Sequence, residues 1–182
     1  VSDVLDFAKP IRFELAAANI NDVCRASATA AWAGHDTGEL RLDLDPDMPL
    51  AVTDAERLRT ALVNILTNAR HAVRAATGTR SGDKGPTGGV AVATHPGVIV
   101  KTRYAAGRVA ISVQDFGTGI SPEDLAHVFD PYFTTRRKGT GLGLPIAKNI
   151  IEGLGGTINV NTEVGAGTEI RLDLPLTAEA IV

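Results

Sequence analysis

Two short glycine segments on either side of the centre of the chain place the tightest constraint on its fold. The first, Asp-Phe-Gly-Thr-Gly-Ile at 115–120, follows alternating apolar residues and predicts a turn at the end of a strand. The second, Gly-Thr-Gly-Leu-Gly-Leu at 139–144, leads into a predicted helix over 142–154. Glycine lets a ligand approach the backbone, and the N–H groups at a helix N-terminus attract anions. The segments predict a phosphate site, although neither matches a P-loop or a dinucleotide fingerprint.

The longest predicted helix begins at Thr53 or Asp54 and runs to about Ala76. Its apolar residues recur at helical spacing and form one stripe: Leu58, Leu62, Ile65, Leu66, Ala69 and Val73. Asn64 and Asn68 lie one turn apart at the edge of this stripe. An amide oxygen suits Mg²⁺, which also takes water and phosphate oxygens. The pair indicates either a magnesium site or two polar residues that face solvent.

Charged residues adjoin both glycine segments. Asp115 ends its strand, where a half-buried carboxylate can accept a hydrogen bond from an exocyclic amine such as that of adenine. The alternative is a turn that serves geometry alone. Arg136, Arg137 and Lys138 precede the second segment. They suit contact with a triphosphate, or they form an ordinary solvated run of charge.

The rest of the chain alternates strands with helices. Further strands are predicted at 11–15, 39–44, 98–104, 108–114, 157–161 and 168–174. Further helices are predicted over 19–32, capped by Asn19 or Asn21, and from Ser121-Pro122 onward. Residues 77–97 are rich in Gly, Pro, Ser and Thr, which predicts a long loop with a short hairpin at 90–93. This order predicts a two-layer α/β sandwich, with one mixed sheet covered by helices on one face.

Composition excludes several functions. The net charge of −3 and an aromatic content of 4% argue against a nucleic-acid surface, which needs a basic stripe or stacking residues. Cys24 is the sole cysteine of the 182 residues, so no internal disulfide can form and a reducing compartment is expected. The chain has neither an apolar run long enough to span a membrane nor a signal-peptide pattern. We therefore expect a single cytoplasmic domain without membrane contact, whether or not the parent protein is anchored in a membrane.

Five ordered segments resemble the motifs of one family. They are an N box at 62–69, a first G box at 115–120, an F box at 129–135, a second G box at 139–144 and a last G box at 167–168. The chain thus resembles the catalytic, ATP-binding domain of two-component sensor histidine kinases, in the GHKL ATPase superfamily. The resemblance runs from about Ile11 to Leu176, and residues 134–146 are similar to the nitrogen-regulation and oxygen-sensing branch.

The resemblance implies ATP and Mg²⁺ as ligands and assigns roles to individual residues. Asn68 would be the Mg²⁺ ligand, and Asp115 would hold the adenine amine, assisted through water by Thr168. Residues 130–141 would form a flexible ATP lid. The catalytic set would be Asn64, Asn68, Arg137 and Lys138. The nucleotide contacts would be Asn64, Asn68, His71, Asp115, Gly117, Gly119, Ile120, Thr135, Arg137, Lys138, Gly139, Thr140, Gly141, Leu142, Gly143, Leu144 and Thr168.

The resemblance also implies domain organisation and partners. Residues 1–10 resemble the end of a dimerisation and phosphotransfer helix, residues 11–176 the catalytic domain, and residues 177–182 are expected to be a disordered tail. None of the four histidines lies in a phospho-acceptor motif. The implied partners are the His-bearing dimerisation helices of the parent kinase, a homodimer at full length, and a response regulator.

The chain departs from the family pattern at two places, and two alternative functions remain open. Phe116 stands where the family often has Asn, and the 77–97 loop is longer than the family usually needs. A GHKL hydrolase or serine kinase is one alternative, but these carry Glu one turn before the Mg²⁺ asparagine, where this chain has Asn64. A nucleotide-binding pseudokinase module is the other, and the intact G boxes argue against it.

Overall fold

The computed structural model describes residues 12–35, 40–80, 96–135 and 139–179. Most elements predicted from periodicity are present within these residues, with ends shifted by a few positions. In chain order they are β1 (Ala16–Ala18), α1 (Ile20–Ala31), β2 (Leu40–Asp43), β3 (Ala51–Thr53), α2 (Ala55–Arg80), β4 (Val98–Ala105), β5 (Arg108–Asp115), α3 (Pro122–Leu125), α4 (Gly143–Gly153), β6 (Thr157–Glu163) and β7 (Gly167–Pro175).

The main sheet has five strands in the order β2-β4-β5-β7-β6. β2 pairs with β4 in parallel, and the other neighbours pair antiparallel, so the sheet is mixed as predicted. β4 and β5 form the predicted hairpin, in which Ala106 and Gly107 make the turn with φ of 50° and 74°. Positive φ at both central residues gives a turn whose twist matches that of the strands.

Helices cover one face of this sheet. The inward side chains of β5 and the apolar stripe of α2 form the core, and all are at most 6% exposed: Val109, Ile111 and Val113, with Leu58, Leu62, Ile65, Leu66, Ala69 and Val73. α2 contacts both α1 and α4. The opposite face carries polar pairs such as Ser112 with Glu169, whose side-chain oxygens lie 2.5 Å apart. The predicted two-layer arrangement is confirmed.

Side-chain caps fix the helix starts. Asn19 caps α1 by accepting from the N–H groups of Asn21 and Asp22. Of the two predicted starts of α2, Thr53 and Asp54, Asp54 caps the helix: its carboxylate accepts a hydrogen bond from Arg57 N at 2.9 Å. Each cap satisfies N–H groups that have no partner inside the helix.

A closed ring of polar groups lies beneath α1. Asn21 Nδ2 donates to the carbonyl of Asp45 at 2.8 Å, Asp45 N donates to Thr102 Oγ1 at 2.9 Å, and Thr102 Oγ1 donates to Asn21 Oδ1 at 2.7 Å. Asn21 is 6% exposed and Thr102 fully buried. The ring therefore joins α1, β4 and the turn after β2 while it satisfies its own buried groups.

The N-terminal strands differ from the prediction. Residues 12–15 are not a strand; β1 lies at Ala16–Ala18 and pairs antiparallel with β3, which was not predicted. Each of these strands has three residues. Such short segments carry too little alternation to be recognised, and a run of three alanines carries none.

Two further predictions differ at element ends. α2 continues to Arg80, so the predicted loop begins later than residue 77, and the hairpin at 90–93 lies outside the described residues. Disorder is predicted from Thr177, whereas Thr177 bridges to Val52 and Ala178 is 5% exposed. Ala178 N donates to the Val52 carbonyl at 2.8 Å, so the edge of β3 holds these residues in place. Residues 1–10 also lie outside the described part of the chain.

The helices within the described residues include none with the length and apolar character needed to cross a bilayer.

Candidate nucleotide-binding site

A cavity of about 490 Å³ lies between α2, the C-terminal end of β5, the start of β7 and the N-terminus of α4. Thirteen of the residues predicted to contact the nucleotide line it: Asn64, Asn68, His71, Asp115, Gly119, Ile120, Thr135, Gly139, Thr140, Gly141, Gly143, Leu144 and Thr168. The fold therefore brings together segments separated by more than a hundred positions in the sequence. Their individual roles stay predictions.

Asp115 lies at the sheet end of the cavity and is 6% exposed. Its carboxylate accepts hydrogen bonds from the backbone N–H groups of Gly117, at 2.9 Å, and Thr168. Burial raises the pKa of Asp115 to about 6, while these two hydrogen bonds act in the opposite direction. A buried carboxylate with remaining lone pairs directed at a cavity is suited to accept from a donor on a ligand.

The first glycine segment needs its glycines for packing. Gly119 has φ of +70°, and a Cβ there would overlap the carbonyl of Glu163. A Cβ on Gly117 would lie 2.5 Å from the backbone of Ala72. The segment thus fits closely between the β6–β7 turn and α2. Gly117 supports the cavity by donating to Asp115 and is not among its lining residues.

Thr162 lies outside the cavity lining but contacts two residues that form it, Ile120 and Thr168, and it was not predicted from the sequence. Its hydroxyl lies 2.9 Å from Ile120 N, 3.1 Å from the Gly167 carbonyl and 2.9 Å from Thr168 Oγ1. The register of β6 and β7 pairs Thr162 with Thr168, so they share a face. This contact depends on the register between the two strands, which motif spacing does not reveal.

The other end of the cavity is formed by α2 and the start of α4. Asn64 Oδ1 lies 3.4 Å from the position that a Cβ on Gly143 would occupy. Asn64 and Asn68 are both half-buried and line the cavity, which places them on the cavity side of α2. The backbone N–H groups of the first turn of α4 have no partner within the helix. Amide side chains and helix N–H groups therefore meet where an anion would be stabilised.

Leu142 precedes this turn and is 3% exposed. It is a predicted nucleotide contact that is absent from the cavity lining among the described residues. Its side chain is buried, so it anchors the start of α4.

A backbone hydrogen bond closes the base of the predicted lid. Tyr132 N donates to the Gly141 carbonyl at 2.9 Å, and both residues have positive φ, of 66° and 69°. A Cβ on Gly141 would overlap the Tyr132 backbone, so only glycine fits there. Thr135, Gly139 and Thr140 line the cavity from this segment. Arg137 and Lys138 lie outside the described residues.

Several lining residues were not predicted. Ala72 and Ala75 follow Asn68 on the same helix face, which the four- and three-residue spacing could have indicated. Thr118, Asp124, Val128 and Phe133 come from the segment after β5. The apolar members of this set, Ala72, Ala75, Val128 and Phe133, give the cavity an apolar part.

Curated sensor kinases are similar to this chain in sequence over nearly its whole length. Sensor histidine kinase ZraS from Salmonella typhi is 34% identical over 180 residues, which cover 98% of this chain and 35% of that protein. Sporulation kinase C from Bacillus subtilis (strain 168) is 27% identical over 183 residues, which cover 99% of this chain and 38% of that protein. The chain thus spans little more than a third of the length of these relatives.

Solved structures share the fold. Full-length ShkA, solved in complex with AMPPNP, superposes with a TM-score of 0.72 and 27% identity over 98% of this chain and 35% of its own. The catalytic domain of histidine kinase ThkA superposes with a TM-score of 0.69 over 91% of this chain and 97% of its own; at 24% identity this likeness shows the fold alone.

A family model matches residues 53–178, a stretch from the end of β3 to the residues that follow β7. This match includes the whole cavity described above. The chain therefore belongs to the family of histidine kinase-, DNA gyrase B-, and HSP90-like ATPases.

Proposed function

We propose that this domain binds ATP with Mg²⁺ and transfers the γ-phosphoryl group to a histidine on a separate helical domain. Adenine would occupy the sheet end of the cavity, where Asp115 accepts from its exocyclic amine. Burial of Asp115 favours this role, because a carboxylate shielded from water gains more from a single well-placed donor. The triphosphate would extend toward the first turn of α4.

The residues at the phosphate end suit a magnesium ion. Asn68 contributes a neutral amide oxygen from α2, and the described residues contain no cluster of three or more His, Cys, Asp or Glu side chains. A site poor in carboxylates fits a cation whose charge is balanced by phosphate oxygens and whose shell keeps water. When bound, the ion would neutralise phosphate charge. Arg137 and Lys138 of the lid are proposed as further cationic contacts.

Asn64 carries the choice of reaction. It lies one turn before Asn68 and beside Gly143, where hydrolases and serine kinases of the superfamily carry Glu. Water or a serine hydroxyl must lose a proton as it attacks phosphorus, and an amide cannot take that proton. A neutral imidazole attacks with a nitrogen lone pair, so the P–N bond forms and the bond to ADP breaks without a base on this domain. The amide at Asn64 therefore favours phosphotransfer to histidine.

The acceptor histidine is proposed to lie on the dimerisation helices of the parent kinase. The histidines of the described residues have other surroundings: His71 lines the cavity, His35 Nδ1 lies 3.1 Å from an Arg74 nitrogen, and His127 Nδ1 lies 2.7 Å from Asp130 Oδ2. We therefore propose that phosphoryl transfer requires that second domain, in a homodimer at full length. A response regulator would receive the group next.

Phosphotransfer tests the proposal directly. The domain is incubated with Mg²⁺ and ATP labelled at the γ-phosphate, with and without a separately expressed His-bearing dimerisation domain. Acid-labile, base-stable label on that second domain is the expected result. Nucleotide binding without phosphoryl transfer would favour the pseudokinase hypothesis, and rapid ATP hydrolysis by the domain alone would favour a hydrolase.

The magnesium assignment has its own test. Asn68→Ala is expected to abolish the Mg²⁺-dependent part of ADP affinity, measured by calorimetry with and without Mg²⁺. Asn149→Ala is the matched control, because Asn149 is an exposed helical asparagine on α4. If Asn68→Ala keeps the Mg²⁺ dependence of the wild type, Asn68 is not the ligand.

A further inference from the structure

The hydroxyl group of Thr162 has three partners within hydrogen-bond distance, from three different segments. They are Ile120 N at 2.9 Å, the Gly167 carbonyl at 3.1 Å and Thr168 Oγ1 at 2.9 Å. Thr168 is 6% exposed and lines the cavity beside Asp115, its partner across β5 and β7. Thr162 itself is absent from the cavity lining, so any effect on a ligand must pass through Thr168 or Ile120.

The chemistry of these groups fixes the direction of each hydrogen bond. A hydroxyl has one proton and two acceptor sites. The Ile120 N–H can only donate and the Gly167 carbonyl can only accept, so Thr162 accepts from Ile120 and gives its proton to Gly167. Its second acceptor site then takes the proton of Thr168 Oγ1. This is the one arrangement that uses all three contacts at once.

We propose that Thr162 is a positioning residue that sets base specificity by holding the Thr168 proton away from the cavity. Thr168 Oγ1 then faces the cavity with lone pairs, next to the carboxylate of Asp115. Two adjacent acceptors select a ligand edge that donates, directly or through a shared water. A 6-amino purine offers two hydrogens there, whereas a 6-oxo purine would set a third acceptor against the pair. The inference rests on the proposed nucleotide function and deepens it.

The test compares two nucleotides that differ at the purine 6 position. ADP and inosine diphosphate are titrated with Mg²⁺ at pH 7.5 into the wild type, Thr162→Val and Thr162→Ser, and the ratio of their Kd values is taken. In Thr162→Val the Thr168 proton is free to turn toward the cavity, so the preference for ADP should fall about tenfold, the effect of about one hydrogen bond. Thr162→Ser keeps the hydroxyl and should restore the wild-type ratio. Thr157→Val, an exposed position on the same strand, should also leave the ratio unchanged.

The outcomes separate the possible failures. If Thr162→Val weakens ADP and inosine diphosphate equally, Thr162 is merely structural and the inference is overturned while the proposed function stands. If the wild type binds neither nucleotide, the proposed function fails and the inference fails with it. A Thr162→Val protein that does not fold is replaced by Thr162→Ala, which also lacks the hydroxyl and is read by the same ratio.

Discussion

The raised pKa of Asp115 predicts that adenine-nucleotide affinity depends on pH. Burial raises this pKa to about 6, so the carboxyl group takes up a proton as the pH falls through that value. The protonated group has lost an acceptor site and presents a donor toward the adenine amine, which is itself a donor. If Asp115 accepts from the adenine amine as proposed, only the ionised fraction of the protein binds adenine well, and affinity falls on the acid side.

The size of the effect follows from the ionised fraction. With a pKa of about 6, roughly nine-tenths of Asp115 is ionised at pH 7 and roughly one-tenth at pH 5. The apparent Kd is the intrinsic Kd divided by the competent fraction, so the Kd of ADP should rise about tenfold between pH 7.5 and pH 5. The raised pKa of Asp115 also affects the stability of the fold without nucleotide, and this effect runs in the opposite direction with pH. The contribution of Asp115 to stability without nucleotide is present below its unfolded pKa and is lost as the pH rises through about 6.

Calorimetric titration of ADP across this pH range provides the assay, with Asp115→Asn as the reference. The amide keeps an oxygen at the same place but does not titrate, so its affinity should be lower and should lack this pH component. The phosphates of ADP are the same in both titrations, so the difference between the two curves isolates Asp115. Parallel curves for wild type and Asp115→Asn would refute the reasoning. An equal loss of ADP and GDP affinity in Asp115→Asn would show that this carboxylate does not read the base.

Two predictions concern stability. Gly119→Ala should destabilise the fold by about 1–3 kcal/mol more than Gly165→Ala in urea denaturation, because both have positive φ but only Gly119 would drive a Cβ into a neighbouring carbonyl. Equal losses for the two variants would show that the backbone conformation alone sets the cost. Leu62→Ala should lower the free energy of unfolding by about 2–5 kcal/mol, since Leu62 is 1% exposed at the centre of the α2 stripe. A loss below 1 kcal/mol in the same assay would contradict its place in the core.

The helices and strands that could be predicted from the sequence are those whose apolar pattern extends over many residues. The α2 stripe repeats over about four turns, and the β4–β5 hairpin alternates on both sides of its turn, so periodicity alone located them. β1 and β3 were not predicted because a strand of three residues is too short to show a period. Residues 77–80 of α2 were not predicted as helix because Thr77 and Gly78 have low helix propensity.

The residues of the candidate site also differ in whether their position could be predicted from the sequence. Asn64 and Asn68 share a helix face by spacing, so their place in the cavity could be predicted. Thr162 could not be, because its contact with Ile120 depends on where the turn after β5 meets β6. Spacing within one helix therefore predicted Asn64 and Asn68, whereas the contacts of Thr162 depend on the register between β6 and β7.

The ring of Asn21, Asp45 and Thr102 has a consequence for the order of folding. Thr102 and Asn21 are 81 positions apart, so the ring can close only when β4 lies against α1. Contacts of such long sequence separation are entropically expensive and form late. β2 is an edge strand that pairs only with β4 within the described sheet, and a slip of one residue would turn its side chains to the wrong face. The position of α1 relative to β4 and to the turn after β2 is therefore fixed by a contact with a strand made much later in the chain, and a nascent chain that ends before Thr102 cannot yet complete this ring.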